Sequence, residues 1–319
     1  CSAMGKSYRF VCFLILIVAA AGCSSKKEDR KEENTVSEVQ APVMPKDFER
    51  AMPPAMMTNP QERADYMVTR FWDKFDFRDT MYCHAPNITE QAFVDFIALF
   101  PHTSSITKVS EGVDKLLTAA EVENVVYNYF CMKAEHYLYN PNSPMRNDEY
   151  YIPFLEHIVN SSMVTDVHKI RPRRQLELAN RNRLGSKAED FVYTMASGKA
   201  GTLYGVSADY VLLMFYNPDC VECQRTTEML KNSTVLTSAV LSGKVKVLAV
   251  YPDENLEAWQ KHMKDIPSVW INGYDKTLAV KNDEIYDLKA ITTLYLLDKN
   301  KKVILKDTST GDIHEYLEN

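Results

Sequence analysis

The sequence predicts an α+β protein of two domains, in which an all-α domain precedes an α/β domain whose mixed sheet is flanked by helices. Apolar and aromatic residues recur at helical spacing through the first half of the chain. After Gly185, short β-type runs alternate with helical segments, and a Cys-x-x-Cys motif follows one of those runs. We therefore expect a helical domain over residues 46–183 and a sheet-containing domain over residues 184–319.

Composition supports this reading and excludes several classes of protein. The 319 residues are 45% hydrophobic, which is enough to build two cores, and they show no bias typical of collagen, disordered chains or membrane bundles. The formal net charge is −6, and no basic face is apparent. Nucleic acid is therefore not expected as a partner.

The N-terminal segment resembles a targeting signal. Two basic residues, Lys6 and Arg9, precede an apolar run over residues 10–18, and the small-residue box Ala20-Ala21-Gly22-Cys23 follows. The apolar run is too short to span a bilayer as a helix and fits the core of a signal peptide. We expect residues 1–22 to be removed, with Met4 as the initiator.

The same box predicts where the mature protein resides. Cys23 is expected to become the lipidated first residue, and residues 23–45, which include a charged run, form a solvated tether. The expected location is the cell envelope of a Gram-negative bacterium, with a lipid anchor in the outer membrane on its periplasmic side. Four cysteines, at positions 83, 131, 220 and 223, then remain as thiols.

Helices are predicted at four places in the first half. Asn59-Pro60 opens one helix, and Asn87-Ile88-Thr89-Glu90 caps a second. Two more are expected over residues 122–138 and 149–159. Trp72, Phe75 and Phe77 are interpreted as core residues, the scattered histidines as neither ligands nor bases, and the basic cluster at 169–174 as a solvated helix start.

Strands dominate the prediction for the second half. The border is placed in the polar stretch 179–186. Helices are expected over residues 224–231 and 254–264, with a short helix at the C-terminus. The predicted strands cover residues 190–193, 202–204, 210–216, 244–251, 294–297 and 303–306, and the last two form a hairpin.

Cys220-Val221-Glu222-Cys223 is the motif that carries chemistry. It lies between a buried strand and a helix, whose N-terminal dipole and free amide groups favour a thiolate at the first cysteine. This arrangement suits thiol–disulfide exchange. A structural disulfide and half of a zinc site are the alternatives, although His262 and His314 show no metal-ligand spacing. We expect no metal and no cofactor other than the cysteine pair itself.

These motifs resemble known families. The segment from Leu213 to Cys223 resembles the strand and redox turn of thioredoxin-like proteins, and Ala188-Glu189-Asp190-Phe191 resembles a segment of their TlpA-like and peroxiredoxin-like branch. The helical half resembles a domain of unknown function in Bacteroidetes lipoproteins that carry such a C-terminal domain. The motifs behind this second resemblance are residues 71–77, 139–145 and 151–155.

The thioredoxin resemblance implies roles for individual residues. Cys220 corresponds to the attacking cysteine and Cys223 to the resolving one, while Met214 replaces a buried carboxylate that usually serves the second thiol. Ile291, Thr292 and Thr293 correspond to the substrate-docking loop, and Thr292 stands where a cis-proline is usual. A cis bond before a residue other than proline costs about 2.5–4 kcal/mol. We therefore expect a trans loop of different shape.

Local charge predicts the redox character. Asp219 and Glu222 flank the cysteines, and a nearby negative charge disfavours a thiolate. The couple is therefore expected to be weakly oxidising or reducing. The resemblance also argues against a peroxidase, because peroxidases of this fold place a threonine where this chain has Asn217.

Two functions of different class follow from the sequence. The first is an envelope thiol–disulfide oxidoreductase that acts on thiols and disulfides of exported proteins and is recharged by a membrane electron donor. The second is a non-catalytic envelope lipoprotein that binds a partner and holds an inert disulfide. Lys27-Glu28-Asp29 also resembles surface-export signals of Bacteroidetes lipoproteins, which makes display on the cell surface an alternative location.

Overall fold

A computed structural model describes residues 44–319 of the chain. Helices occupy the first part of this region, and a seven-stranded mixed sheet flanked by helices occupies the second, so the predicted α+β class is confirmed. The signal peptide predicted at residues 1–22 and the lipidation predicted at Cys23 lie outside the described residues. None of the helices in the described region has an apolar stretch long enough to cross a bilayer.

Most of the helices predicted for the first half of the chain are confirmed. Asn59 caps the first helix, since its side chain accepts hydrogen bonds from the Gln61 and Glu62 amides. The predicted cap at residues 87–90 was wrong in detail, because that helix begins at Thr89 without a side-chain cap. The α-helices are α1 (Pro60–Arg70), α2 (Thr89–Ala98), α3 (Ile106–Ala120), α4 (Asn124–Ala134), α5 (Asp148–Asn160) and α6 (Asp166–Asn180).

Aromatic side chains fill the core of the helical region. Trp72 lies between Phe48, which stacks on it at 5.4 Å between ring centroids, and Phe130, which meets it edge-on at 4.9 Å. Phe75 and Phe77 pack against the same cluster. All five rings are buried, so the interpretation of Trp72, Phe75 and Phe77 as core residues is confirmed.

The sheet has the strand order β2-β1-β5-β4-β3-β6-β7. Its centre is parallel, because β3 and β5 both run parallel to β4, while β6 and β7 form an antiparallel hairpin beside β3. The strands are β1 (Val192–Met195), β2 (Ala200–Thr202), β3 (Tyr210–Phe215), β4 (Val245–Tyr251), β5 (Ile271–Tyr274), β6 (Thr293–Asp298) and β7 (Val303–Lys306).

Both faces of the sheet are covered. Side chains of the central strand β3 alternate between two apolar clusters, with Leu212 and Met214 in one and Val211 and Leu213 in the other. Packing on both faces holds β3 in place, so the turn that follows Phe215 starts from a fixed position at the carboxyl end of the strand. The remaining helices are α7 (Val221–Asn232), α8 (Thr234–Leu241), α9 (Leu256–His262), α10 (Ala279–Asn282) and α11 (Thr310–Glu318).

The helical region and the sheet region pack against each other. Residues 44–319 form one compact unit, in which α6 ends at Asn180 and β1 begins at Val192. Charged side chains cross the contact, including Arg146 to Asp307 at 2.9 Å and Lys306 to Asp148 at 2.8 Å. The domain border at residues 183/184 stays a prediction. With this predicted border, we refer to residues 44–183 as the helical domain and to residues 184–319 as the sheet domain.

Candidate active site

The motif 220–223 lies where the turn after β3 leads into α7, with Cys220 just before the helix and Cys223 in its first turn. Asn217 shapes the turn, since its side-chain oxygen accepts from the Asp219 amide at 3.0 Å and its carbonyl accepts from the Cys220 amide at 3.1 Å. Cys220 is the N-cap residue of α7, and its side chain accepts no hydrogen bond from the helix. The strand and the turn therefore place the first cysteine at the positive end of a 12-residue helix.

Cys220 is the accessible thiol of the pair. Its side chain is half-buried, and its Sγ atom donates to the Ile291 carbonyl oxygen at 3.7 Å. Val221 beside it is 75% exposed, so an incoming protein would meet an apolar surface next to this sulfur. The helix terminus and the exposure together suit Cys220 to nucleophilic attack.

Cys223 is the inner thiol, with only 1% of its surface exposed. Its Sγ accepts from the Asn217 amide at 3.4 Å. Burial raises the pKa of Cys223 to about 11, although the Asn217 amide and the Thr292 hydroxyl oppose that rise. Cys223 is therefore a thiol at neutral pH and needs to lose its proton before it can attack.

The predicted docking loop faces the cysteines, since Thr293 begins β6 and pairs with Phe215, the last residue of β3. The expectation of a trans loop was wrong, because the Ile291–Thr292 peptide bond is cis. The local preference of one peptide bond did not decide its conformation within this packed loop. The structure thus brings Cys220, Cys223 and residues 291–293 together.

The Thr292 hydroxyl is a polar group near the inner thiol. Its Oγ1 atom is buried and forms no hydrogen bond of normal geometry within residues 44–319. The same hydroxyl lies near enough to Cys223 to lower its pKa. Met214, at the position of the usual carboxylate, is fully buried in the apolar cluster that also contains Cys223. Thr292 is therefore the residue of the docking loop whose polar side chain acts on the Cys223 sulfur.

The acidic residues beside the cysteines are exposed and have basic neighbours. Glu222 lies 3.8 Å from Arg225 on the first turn of α7. Asp219 lies 3.9 Å from Nε2 of His262. Both carboxylates are more than 60% exposed, and water screens such charges strongly. The weakly oxidising or reducing character predicted from these charges stays a prediction.

A pocket of about 270 Å³ leads from Cys223 to the surface. Its wall includes His262, whose Nδ1 atom lies 2.7 Å from Asp265. His262 was not predicted to belong to the site, because an isolated histidine in a sequence rarely marks function. Its i, i+3 spacing to Asp265 was visible, but its position near the cysteines depends on where α9 packs.

Among residues 44–319, the two cysteines outside the motif lie away from the candidate site. Cys83 and Cys131 are in the helical domain, and all four cysteines of the described region are free thiols. Across residues 44–319, no three His, Cys, Asp or Glu side chains are grouped in a way that would hold a metal ion.

Two family models match the chain. One is described as a domain of unknown function, DUF5106, and matches residues 22–182. The other is described as thioredoxin-like and matches residues 208–303. Comparison with curated proteins gave no match.

Solved structures are similar to the chain as well. A thioredoxin-like protein from Bacteroides caccae is 45% identical to this chain and superimposes on it with a TM-score of 0.82. The match covers 86% of this chain and 99% of the Bacteroides caccae protein. The C-terminal domain of an uncharacterized protein from Bacteroides fragilis is 51% identical over 43% of this chain and 99% of its own, with a TM-score of 0.43. The thioredoxin domain of a thiol-disulfide oxidoreductase from Bacteroides vulgatus is 23% identical over 43% of this chain and 96% of its own, with a TM-score of 0.39.

Proposed function

The chain belongs to the DUF5106 family and carries a thioredoxin-like domain after its helical domain, and we propose that it is a thiol–disulfide oxidoreductase of the bacterial cell envelope. One observation carries the proposal. A half-buried Cys220 lies at a helix N-terminus beside the docking loop, and a buried Cys223 lies one turn behind it. One sulfur thus faces an incoming partner while the other is withheld from it.

The reaction follows from these two positions. The Cys220 thiolate attacks one sulfur of a substrate disulfide, a mixed disulfide forms, and the other substrate sulfur leaves as a thiolate. Cys223 then loses its proton and attacks Cys220. The Cys220–Cys223 disulfide forms, the second substrate thiolate leaves, and two electrons have passed from the protein to the substrate. A dithiol protein on the membrane returns two electrons and two protons for the next cycle.

The proton of Cys223 needs an acceptor in the second step. Burial keeps this thiol protonated at neutral pH. The pocket beside it reaches the surface, and water in a pocket of this size can carry the proton outward. His262 is the imidazole on this wall, oriented by Asp265, and we assign it the role of accepting that proton through water.

Turnover of a protein disulfide tests the proposed function. The reduced protein should reduce a disulfide-bonded model protein repeatedly when a dithiol is supplied, at a rate well above the dithiol alone. The matched control is the Cys220→Ser/Cys223→Ser double variant, which lacks both sulfurs and changes no other residue. The binding-protein alternative is supported instead if several protein disulfides are reduced no faster by the wild type than by the double variant.

Thr292→Val is expected to slow the resolving step. The valine keeps the shape and the branching of threonine but removes the hydroxyl that lowers the pKa of Cys223, so this pKa should rise further. A shift of one unit changes the thiolate fraction tenfold, so we expect the mixed disulfide to resolve up to about tenfold more slowly at pH 7. Rapid-quench alkylation followed by mass spectrometry measures this step.

Thr292→Ser is the matched control because it retains the hydroxyl group. It should resolve at close to the wild-type rate. If Val and Ser slow the step equally, the hydroxyl is not what assists Cys223.

The proposed location rests on Ala20-Ala21-Gly22-Cys23. We expect Cys23 to carry an N-terminal lipid after removal of residues 1–22, and detergent-extracted protein should show the added acyl mass. Cys23→Ser should move the protein from the membrane fraction to the soluble fraction. An unmodified Cys23 preceded by an uncleaved Gly22 contradicts the anchor. Protease treatment of whole cells separates periplasmic from surface-displayed protein.

A further inference from the structure

A buried ionic cluster joins the helical domain to the sheet domain. Asp148, at the start of α5, forms ion pairs with Lys289 through Oδ1 and with Lys306 through Oδ2, the second at 2.8 Å. All three side chains are 5–6% exposed. The Lys289 Nζ atom also lies 3.4 Å from Asp287 and 4.6 Å from the centre of the Tyr139 ring. Lys289 is thus enclosed by groups that hold its charge in one place.

Lys289 is two residues from the site. Ala290 follows it, and its carbonyl oxygen accepts from the Thr293 hydroxyl at 2.6 Å. The next carbonyl, that of Ile291, accepts from Cys220. A continuous path therefore runs from Asp148 in the helical domain through Lys289 to the atoms that contact the attacking sulfur.

The helical domain also holds the beginning of the same segment. The segment between α10 and β6 spans residues 283–292. Arg181 donates to the carbonyl oxygens of Asp283 and Glu284 at 2.7 and 2.5 Å, and Asn182 donates to that of Ile285 at 2.7 Å. Backbone groups near one end of the segment and a side chain near the other are therefore bound to the helical domain.

We propose that the helical domain is a positioning domain for the dithiol site, and that Asp148 is its positioning residue, fixing the docking loop 291–293 through Lys289. This inference rests on the proposed function, since it assigns the loop to substrate docking. A loop held in one conformation binds an extended substrate segment at a smaller entropic cost than a mobile loop.

The two lysines provide a matched pair of variants. Lys289→Met removes the link to the loop, leaves Asp148 paired with Lys306, and also removes the ion-pair partner of Asp287. Lys306→Met makes the same chemical change at the same depth, leaves Asp148 paired with Lys289, and removes the link from Asp148 to β7, which does not carry the docking loop. Lys306 also donates to the Ala179 and Arg181 carbonyl oxygens, so its loss should destabilise the protein at least as much. Lys306→Met therefore controls for lost stability.

Hydrogen exchange and steady-state kinetics on the full chain test the proposal. Lys289→Met should raise the exchange rate of the amides at 290–293 and raise the KM for a protein disulfide roughly tenfold, with kcat nearly unchanged. Alkylation of Cys220 by iodoacetamide, which needs no docking, should stay within about threefold of wild type. Lys306→Met should change the loop exchange and the KM much less than Lys289→Met does, because Lys306 reaches the segment only through the backbone of Arg181, even if this variant lowers the melting temperature more.

Equal effects of the two variants on the loop, or no effect of Lys289→Met, overturn the proposal. Lys289→Arg should restore the KM, because it returns a positive charge to Asp148. Lys289→Gln keeps a hydrogen-bond donor toward Asp148, so it should raise the loop exchange rate and the KM by less than Lys289→Met does. This variant provides the test if the methionine variant folds poorly. If the wild type reduces no protein disulfide, the proposed function fails, and the exchange rates at 290–293 alone decide whether the helical domain positions the loop.

Discussion

Cys223→Ser should trap a covalent complex with a substrate protein through Cys220, and Cys220→Ser should abolish both trapping and turnover. The reason is the difference in exposure between the two sulfurs. Cys220 is accessible at the start of α7, whereas Cys223 is buried and its pKa is raised to about 11 by that burial. Non-reducing gels and mass spectrometry of the complex identify the linked cysteine, and turnover should fall by more than about a hundredfold in both variants.

The double variant Cys220→Ser/Cys223→Ser is the control for non-specific capture, and Cys83→Ser is the control for capture by a thiol remote from the site. Trapping should survive Cys83→Ser combined with Cys223→Ser. Equal trapping by the two single-cysteine variants contradicts the assignment of attacking and resolving thiols.

Asp148→Ala should be among the most destabilising single substitutions in the protein. It leaves Lys289 and Lys306 buried without the carboxylate that both contact. Removing one partner of a buried ionic group costs about 3–5 kcal/mol in the free energy of unfolding. Equilibrium denaturation measures this loss. Glu111→Ala is the control, because Glu111 pairs with Lys108 and Lys115 at the exposed surface and should contribute at most about 1 kcal/mol.

The contribution of Asp148 has a defined pH dependence. Burial alone would raise its pKa, but the charges of Lys289 and Lys306 outweigh burial and lower it. A carboxylate whose pKa is lower in the folded state stabilises the fold fully above its unfolded pKa of about 3.9. That stabilisation declines as the pH falls through the folded pKa. The stability difference between wild type and Asp148→Ala should therefore be constant near neutral pH and shrink below about pH 4. A difference that grows under acid contradicts the ion pairs.

The dithiol was predictable because its signals are local. A buried strand, a turn and a helix start within 22 residues, from Tyr210 to Lys231, and the two cysteines fall at the junction. Helix α3 had a usable signal too, since Val109, Val113, Leu116 and Leu117 follow helical spacing, yet it was not predicted. Strand β5 has no such signal, because it is four residues long and contains Asn272 and Gly273.

The rest of the site could not be predicted from local patterns. Asp148 and Lys289 are 141 residues apart, and in sequence each resembles an ordinary surface charge. Only the packing of α5 against the segment before β6 buries them together. The position of His262 near Cys223 likewise depends on the packing of α9. For the Ile291–Thr292 bond, the preference of an isolated peptide indicated trans and the structure shows cis.

The claim that this protein is a thiol–disulfide oxidoreductase can be tested by the reduction potential of the Cys220–Cys223 couple. Equilibration of the protein in defined thiol–disulfide buffers, followed by alkylation and mass spectrometry, gives the midpoint. A thiol–disulfide oxidoreductase of weakly oxidising or reducing character should lie between about −180 and −270 mV. A midpoint below about −300 mV, in the range of structural disulfides, would contradict the claim and assign these cysteines to an inert bridge.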